Sequence, residues 1–368
     1  LVTAGSKIVA GGASTAATVS DVATVSEGDA LAQINNVQAG FTNGISDAIA
    51  NLASSGSITS GLTNIKNDDS NVAITISDAD NTAMTAADLS AIGSATTGTV
   101  TVTNQTAITG SNTQLTAALV TAGSKVEVSD ADVTMNDADN TAIAATVLSG
   151  IGNETTGTVT VTNRIAISGN TAQVTAALVT NSTKVIVSDA DVTVTNASSV
   201  SEFDAIDTAT TGTITYSLSD TAANIDTAND SASKLMGASS ITATDDGGST
   251  GSIIDLDGVT NDSTINTVTL TGDNGIQQVE LSVALTDSAK VTADFISDTA
   301  ADKLIFNTSN STSYLTFDAD GTVASGSPTA FTFNKLSNFD IASGEDQFGI
   351  FYGNNNATGA FQEITSST

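Results

Sequence analysis

The chain has 368 residues, of which 40 are acidic and 9 are basic, and it contains no histidine, cysteine or tryptophan. Without histidine or cysteine, the usual zinc and copper sites, a Ser-His-Asp triad, a thiol nucleophile and a disulfide framework are all excluded. The net charge of −31 repels phosphate groups, and Arg164 is the only arginine. We therefore expect binding neither to nucleic acid nor to a membrane surface. No stretch approaches the roughly 20 apolar residues that span a bilayer, so we expect no membrane insertion.

The same charge destabilises a compact chain unless cations offset it, and carboxylate oxygens suit calcium, which is plentiful outside cells. The mean hydropathy of +0.12 and the short alternating runs of Val, Ile and Leu predict a folded chain with mainly β structure. Because the numbering begins at Leu1 and not at a methionine, we expect the chain to be a portion of something longer or a processed form.

A 59-residue repeat organises the first two thirds of the chain. The octapeptide TGTVTVTN at 97–104 returns unchanged at 156–163. Four basic residues keep the same spacing: Lys7, Lys66, Lys125 and Lys184. Each repeat predicts two coils of strand, turn and short helix, a shorter one from Val100 to Val126 and a longer one from Val126 to Val159.

The local patterns within a repeat predict both element types. The alternation in VTVTN, VEVSD and VIVSD predicts strands that are buried on one face. The segment from Thr85 to Gly93 predicts a short helix with a Thr-x-x-Asp start and a closing glycine. Units with apolar surface at both ends gain burial by stacking on copies of themselves.

We therefore predict a mainly β fold, with a parallel β-solenoid carrying short helices over residues 1–218 and a β-rich connecting region over 219–290. A C-terminal β domain with an aromatic core is predicted over 291–368, because 11 of the 14 aromatic residues follow Lys290. The alternative is a string of independent β-sandwich domains, whose cores would be poor at this size.

Two segments resemble known bacterial families. The motifs at 293–295, 302–306 and 314–321 resemble the C-terminal, RTX-associated module of type I-secreted calcium-binding proteins. The upstream repeats, including 216–224, resemble those of large cell-surface proteins, among them cyanobacterial S-layer-like proteins. The resemblance implies secretion without a cleaved signal and an extracellular, cell-surface location. The glycine-rich calcium-binding nonapeptide that usually accompanies the module is absent, so its β-roll mechanism is not implied.

The candidate metal ligands are six Asp-x-Asp pairs at predicted strand ends. Alternation directs both carboxylates of a pair to one side, where turn carbonyls can complete a calcium shell. The pairs are Asp78 and Asp80, Asp130 and Asp132, Asp137 and Asp139, Asp189 and Asp191, Asp255 and Asp257, and Asp318 and Asp320. The alternative is turn chemistry, since aspartate starts turns and caps helices without metal.

These patterns predict an extracellular structural protein that is not an enzyme. We expect a self-assembling, calcium-dependent S-layer or filament subunit, with copies of itself as partners and cell-surface polysaccharide as a further candidate. One alternative is a monomeric adhesin stalk with a binding tip. The other is a carbohydrate-active β-solenoid enzyme using two carboxylates. The acidic positions repeat along the chain and do not converge, which disfavours the enzyme.

Overall fold

The computed structural model describes residues 15–183, 185–229 and 237–244, together with the strand segments 253–255, 267–271, 278–281, 290–294, 303–307, 332–337 and 347–351. The helices are α1 (Val25–Ala32), α2 (Ile49–Leu52), α3 (Ser60–Asp68), α4 (Ala86–Gly93), α5 (Asn112–Leu115), which continues into a π-helix (Thr116–Val120), α6 (Ala145–Gly152), α7 (Thr171–Leu178), α8 (Val200–Asp207) and α9 (Ala222–Asn229).

The strands are short in the repeat region. They are β1 (Thr15–Val19), β2 (Val37–Phe41), β3 (Ile45–Asp47), β4 (Ala53–Ser54), β5 (Ser57–Ile58), β6 (Ile74–Ile76), β7 (Ala83–Thr85), β8 (Val100–Val102), β9 (Ala107–Gly110), β10 (Asp132–Met135), β11 (Ala142–Ala144), β12 (Val159–Val161), β13 (Ala166–Gly169), β14 (Asp191–Ser198) and β15 (Ile214–Thr221). The later strands are β16 (Ala238–Thr244), β17 (Ile253–Asp255), β18 (Thr267–Thr271), β19 (Gln278–Leu281), β20 (Lys290–Asp294), β21 (Lys303–Asn307), β22 (Thr332–Ser337) and β23 (Gln347–Phe351).

The fold mixes helices with several parallel sheets. Between residues 15 and 229, helices occupy about as many residues as strands, so the prediction of a mainly β fold is wrong. A preceding Thr, Ser or Asn caps the first turn of α1, α3, α4, α5, α7 and α8, as Thr85 does for α4, whereas α2 and α6 follow an alanine and have no side-chain cap. The predicted parallel strands and short helices are confirmed.

Successive strands stack in parallel, with paired residues mostly 24 to 26 positions apart. The alternating residues supply the core. Met84, Ile108, Val133 and Val159 form one buried row across β7, β9, β10 and β12. Intervening threonines such as Thr109 lie on the outer face, where Thr109 is exposed. Each strand thus contributes only a few apolar side chains, and stacking makes the core continuous.

Consecutive copies of the repeat lie in different sheets. Thr101 and Thr160 are equivalent in sequence, but Thr101 belongs to the sheet β3-β6-β8 and Thr160 to the sheet β7-β9-β10-β12. A parallel bridge joins Thr101 to Glu127; the chain then advances to Thr134 in the neighbouring sheet, which pairs with Thr160. The longer coil predicted from Val126 to Val159 is therefore wrong. The residues between Glu127 and Thr134 carry the chain from one sheet to the other, and do not belong to a coil.

The chain divides into two compact units. The first holds residues up to Val192 together with Ala209–Thr213, and the second holds Thr193–Thr208 and residues from Ile214 on. In the second unit, β15, β16, β18, β20 and β22 form one run of parallel strands, and β17, β19, β21 and β23 form another. The domain boundaries predicted after residues 218 and 290 stay predictions. The aromatic core predicted for residues 291–368 also stays a prediction, because the structure does not describe the side chains of that region.

Candidate metal-binding carboxylates

Asp137 is the most buried of the predicted ligands that the structure describes, with 8% of its surface exposed. It follows β10, and its two carboxylate oxygens accept hydrogen bonds from the backbone N–H and the side-chain amide of Asn112, each at 2.7 Å. Asn112 is the first residue of α5 and lies 25 positions earlier in the chain. The carboxylate therefore satisfies a helix N-terminus that belongs to the preceding segment.

Three other aspartates make the same kind of contact with the first residue of a helix. The pairs are Val25 of α1 with Asp47 (2.9 Å), Ile49 of α2 with Asp78 (2.7 Å) and Val200 of α8 with Asp220 (2.9 Å). The first N–H groups of a helix lack intrahelical acceptors and carry a partial positive charge. We call Asp47, Asp78, Asp137 and Asp220 the linking aspartates, because each joins two segments that are distant in sequence.

Asp220 shows how these contacts affect ionisation. Partial burial acts to raise the pKa of Asp220, but hydrogen bonds from the Asn224 side chain and from the N–H groups of Val200 and Thr221 outweigh it. The pKa of this carboxyl is therefore lowered. The folded chain favours the charged form of Asp220, as expected for a carboxylate that accepts several N–H donors.

Arg164 connects two of the predicted pairs. Its guanidinium Nε and Nη2 donate to the two carboxylate oxygens of Asp191 at 3.0 and 2.6 Å, and its backbone N–H donates to Asp139 at 3.1 Å. The pKa of Asp191 is lowered, mainly by the side-chain hydrogen bond from Arg164 and to a smaller extent by the bond from the N–H of Thr213. Arg164 is exposed, and its guanidinium is an intramolecular cation for Asp191.

The remaining described ligands have other partners. Asp132 accepts from the N–H and the hydroxyl of Thr158, at 2.8 and 2.7 Å, and these bonds lower its pKa. Asp130 and Asp189 each accept from the hydroxyl of the preceding serine. Asp80 is exposed.

The two carboxylates of an Asp-x-Asp pair do not share a hydrogen-bond donor. Asp137 contacts Asn112, for example, whereas Asp139 contacts Arg164. Within the described ranges, no three acidic side chains lie close enough together to hold a metal ion. Asp255 lies in β17, and the predicted ligands Asp257, Asp318 and Asp320 fall outside the described residues.

The tripeptide Thr-Thr-Gly also joins segments that are distant in sequence, and it was not predicted to do so. In the copy at 155–157, the buried Thr155 hydroxyl donates to the carbonyl of Ala131 at 2.6 Å and accepts from the N–H of Gly157 at 3.0 Å. Thr156 bonds the carbonyl of Ser129 through both its N–H and its hydroxyl. The copies at 96–98 and 210–212 make the same contacts with residues 20 to 27 positions earlier.

Glycine is required at the third position of this tripeptide. A Cβ atom on Gly157 would collide with the carbonyl oxygen of Ala131, and those on Gly98 and Gly212 would meet equivalent carbonyls. The signal was available in the sequence, since Thr-Thr-Gly recurs even in the degenerate third copy.

The chain matches no family model, no curated protein and no solved structure. Its function is therefore inferred from the contacts of its own residues. Among the described helices, none is long and apolar enough to cross a bilayer. The linking aspartates, together with Asp132, Asp139 and Asp191, accept hydrogen bonds that join segments distant in sequence, and the exposed carboxylates can also meet cations from solution.

Proposed function

We propose that the chain is an extracellular structural protein, without catalytic activity, that assembles with copies of itself into a calcium-dependent S-layer or filament at the cell surface. Its body would be a continuous parallel solenoid of the 59-residue repeats. One observation carries the proposal: the aspartates recur along the chain and bond the backbone of a neighbouring segment. Such distributed use of carboxylates fits a structural scaffold better than a single reaction centre.

Charge gives calcium its proposed role. At −31, copies of the chain repel one another at low ionic strength. The linking aspartates are buried or half-buried against helix N-termini, so calcium would bind the exposed members of the Asp-x-Asp pairs, namely Asp80, Asp139 and Asp189. Oxygen-only ligands of this type are suited to calcium, and partial shells can be completed by a second copy or by water.

Assembly is tested by negative-stain imaging and light scattering of the full chain, in calcium and in chelator at equal ionic strength. We expect ordered sheets or fibres that dissolve on chelation, and a higher melting temperature with calcium, because an ion that binds only the folded state stabilises it. Isolated rods under all conditions would favour the adhesin stalk. Turnover of a polysaccharide that a single Asp→Asn change abolishes would favour the enzyme.

A matched pair of variants separates specific binding from general screening. Replacing Asp80, Asp139 and Asp189 by asparagine should weaken the response to calcium. The control removes the same charge at three exposed acids outside the pairs, as Asp21→Asn, Glu127→Gln and Asp207→Asn. Equal loss of the calcium response in both triple variants would show that calcium acts only as a diffuse counterion.

A further inference from the structure

Gln105 lies one repeat before Arg164, and the backbone is held in the same way at both positions. The carbonyl of Gln105 accepts a hydrogen bond from the N–H of Asn81, and the carbonyl of Arg164 accepts one from the N–H of Asn140, each at 2.6 Å. Asn81 and Asn140 have the same φ of 61°. The two copies therefore share their backbone geometry here, but one carries a neutral side chain and the other a positive one.

Three aspartates act on the guanidinium of Arg164. Asp191 accepts two bonds from it, at 2.6 and 3.0 Å, and such a paired contact is the strongest that arginine makes with a carboxylate. The bond to Asp191 raises the pKa of Arg164 most, and the charges of Asp189 and Asp139 add to this effect. We call Asp139, Asp189 and Asp191 the Arg164 acids.

The preceding copy holds equivalent acids in the same way. The N–H of Asp132 bonds the carbonyl of Thr106 at 2.9 Å, and one repeat later the N–H of Asp191 bonds the carbonyl of Ile165 at 2.9 Å. The hydroxyl of the preceding serine bonds Asp130 in one copy and Asp189 in the other. The equivalents of the Arg164 acids are Asp80, Asp130 and Asp132, which we call the Gln105 acids.

The Gln105 acids have no basic partner within the part of the chain that the structure describes. The salt bridges there join Lys125 to Glu154 and Arg164 to Asp191, and neither includes a Gln105 acid. Carboxylates gathered in one region repel one another unless a cation lies near them. The same group of acids is thus partly neutralised by the chain itself in one copy and left to the solvent in the other.

We propose that Arg164 is an internal counterion, which takes in its own copy of the repeat the place that a cation from solution takes beside Gln105 in the preceding copy. The described acids include no closed group of three that could hold a metal ion, so the cation beside Gln105 keeps part of its water shell. Beside Arg164, the guanidinium fills this place and repels a second cation. The inference goes beyond self-assembly, because it concerns the folded chain alone.

Two equivalent amides report on the two copies. The N–H of Thr158 donates to Asp132 and that of Thr213 donates to Asp191, each at 2.8 Å. Calcium is added to the dilute, unassembled chain at low ionic strength, and each amide is compared with itself by hydrogen exchange. We expect calcium to slow exchange at Thr158 by about two- to fivefold, the range of an exposed charge interaction, and to leave Thr213 unchanged. Equal responses of the two amides would overturn the inference.

Exchanging the two side chains provides matched variants. Gln105→Arg should remove the response of the Thr158 amide to calcium. Arg164→Gln should give the Thr213 amide a response that it lacks in the wild type. Gln33→Arg is the control for added charge, because Gln33 is also exposed but lies at the end of α1, and it should leave both responses unchanged. Circular dichroism and the melting temperature check that all three variants fold. A Thr158 response that survives Gln105→Arg would overturn the inference.

Sodium chloride at the same ionic strength identifies the cation. A larger effect of calcium on Thr158 would show a bound divalent ion, and an equal effect would show a diffuse counterion; either supports a cation beside Gln105. Assembly is measured separately at high protein concentration. If the amides respond as expected but the chain never assembles, the proposed function is wrong and this inference stands. If the chain assembles in calcium but both amides respond alike, this inference is wrong and the proposed function stands.

Discussion

The carboxylate of Asp137 receives both the backbone N–H and the side-chain amide of Asn112, across 25 positions of the chain. The contact joins the end of β10 to the start of α5, so it stabilises a helix and a stacking interface at the same time. The other linking aspartates repeat the first of these bonds. Much of the negative charge in the repeat region is thus part of the fold itself.

Asp137→Ala should lower the free energy of unfolding by about 2–3 kcal/mol, because two bonds to a charged acceptor are lost at a helix N-terminus. Asp139→Ala is the control. Asp139 is exposed and accepts a single 3.1 Å bond, so its loss should cost about 0.5 kcal/mol. Urea unfolding followed by circular dichroism measures both. Equal effects of the two substitutions would contradict a linking role for Asp137.

Two glycines test the close approach at Thr-Thr-Gly. Gly157→Ala should lower the free energy of unfolding by about 2 kcal/mol, because the added Cβ meets backbone oxygens that cannot move independently. Gly150 lies within α6, where an added methyl group would have nothing within 4 Å, so Gly150→Ala should raise stability by up to about 1 kcal/mol. Thermal and urea unfolding should place the variants on opposite sides of the wild type. A tolerated alanine at 157 would show that the segments are not held this closely.

Two buried threonines should respond in opposite ways to loss of the hydroxyl. Among the described residues, the Thr106 hydroxyl has no hydrogen-bond partner, and the equivalent position one repeat later is the buried Ile165. Thr106→Val should therefore raise the free energy of unfolding by about 1 kcal/mol. Thr155→Val removes two hydrogen bonds and should lower it by about 1–2 kcal/mol. Destabilisation by Thr106→Val to the extent of Thr155→Val would show that this hydroxyl does have a partner.

The bonds from Thr158 lower the pKa of Asp132, which predicts a specific pH dependence. A carboxyl with a lowered pKa in the folded chain stabilises that chain above its unfolded pKa of about 3.9, and the stabilisation is lost as the pH falls through the folded pKa. The wild type should therefore be more stable than Asp132→Asn at pH 7, and the difference should begin to shrink near pH 4 and disappear only once the pH is below the folded pKa. Comparing the two proteins cancels the general effect of protonating other acids. A difference that persists at low pH would assign the effect to packing and not to charge.

The local elements could be predicted from the sequence because their signals are local. Alternation places Val100 and Val102 on the buried face of β8, and the Thr85-x-x-Asp88 pattern marks the start of α4. The glycine that closes α4 was predicted in its correct place, but the reason for a glycine there lies in the next segment and not in the helix. Gly93 does not adopt a left-handed turn; a Cβ there would collide with the carbonyl of Ser124 in the next segment.

The stacking and the candidate site could not be predicted in the same way. The 26-residue spacing from Val100 to Val126 predicted one stacking step, which the bridge between Thr101 and Glu127 makes, but no periodic pattern shows where the chain passes from one sheet to the next. The aspartates were visible as repeated pairs, but their partners lie 20 to 29 positions away. The repeated pairs predicted Asp137 as a metal ligand, and the sequence does not reveal that both of its oxygens accept hydrogen bonds from Asn112.

Amide hydrogen exchange at Asn112 tests the linking role of the aspartates most directly. The N–H of the first residue in a helix has no intrahelical acceptor and ordinarily exchanges fast. We expect the Asn112 amide to be protected to the level of the neighbouring core strands, and Asp137→Ala to remove that protection while the amide of Ile49, bonded to Asp78, stays protected. An Asn112 amide that exchanges at the unprotected rate in the wild-type chain would contradict the linking of successive segments by their carboxylates.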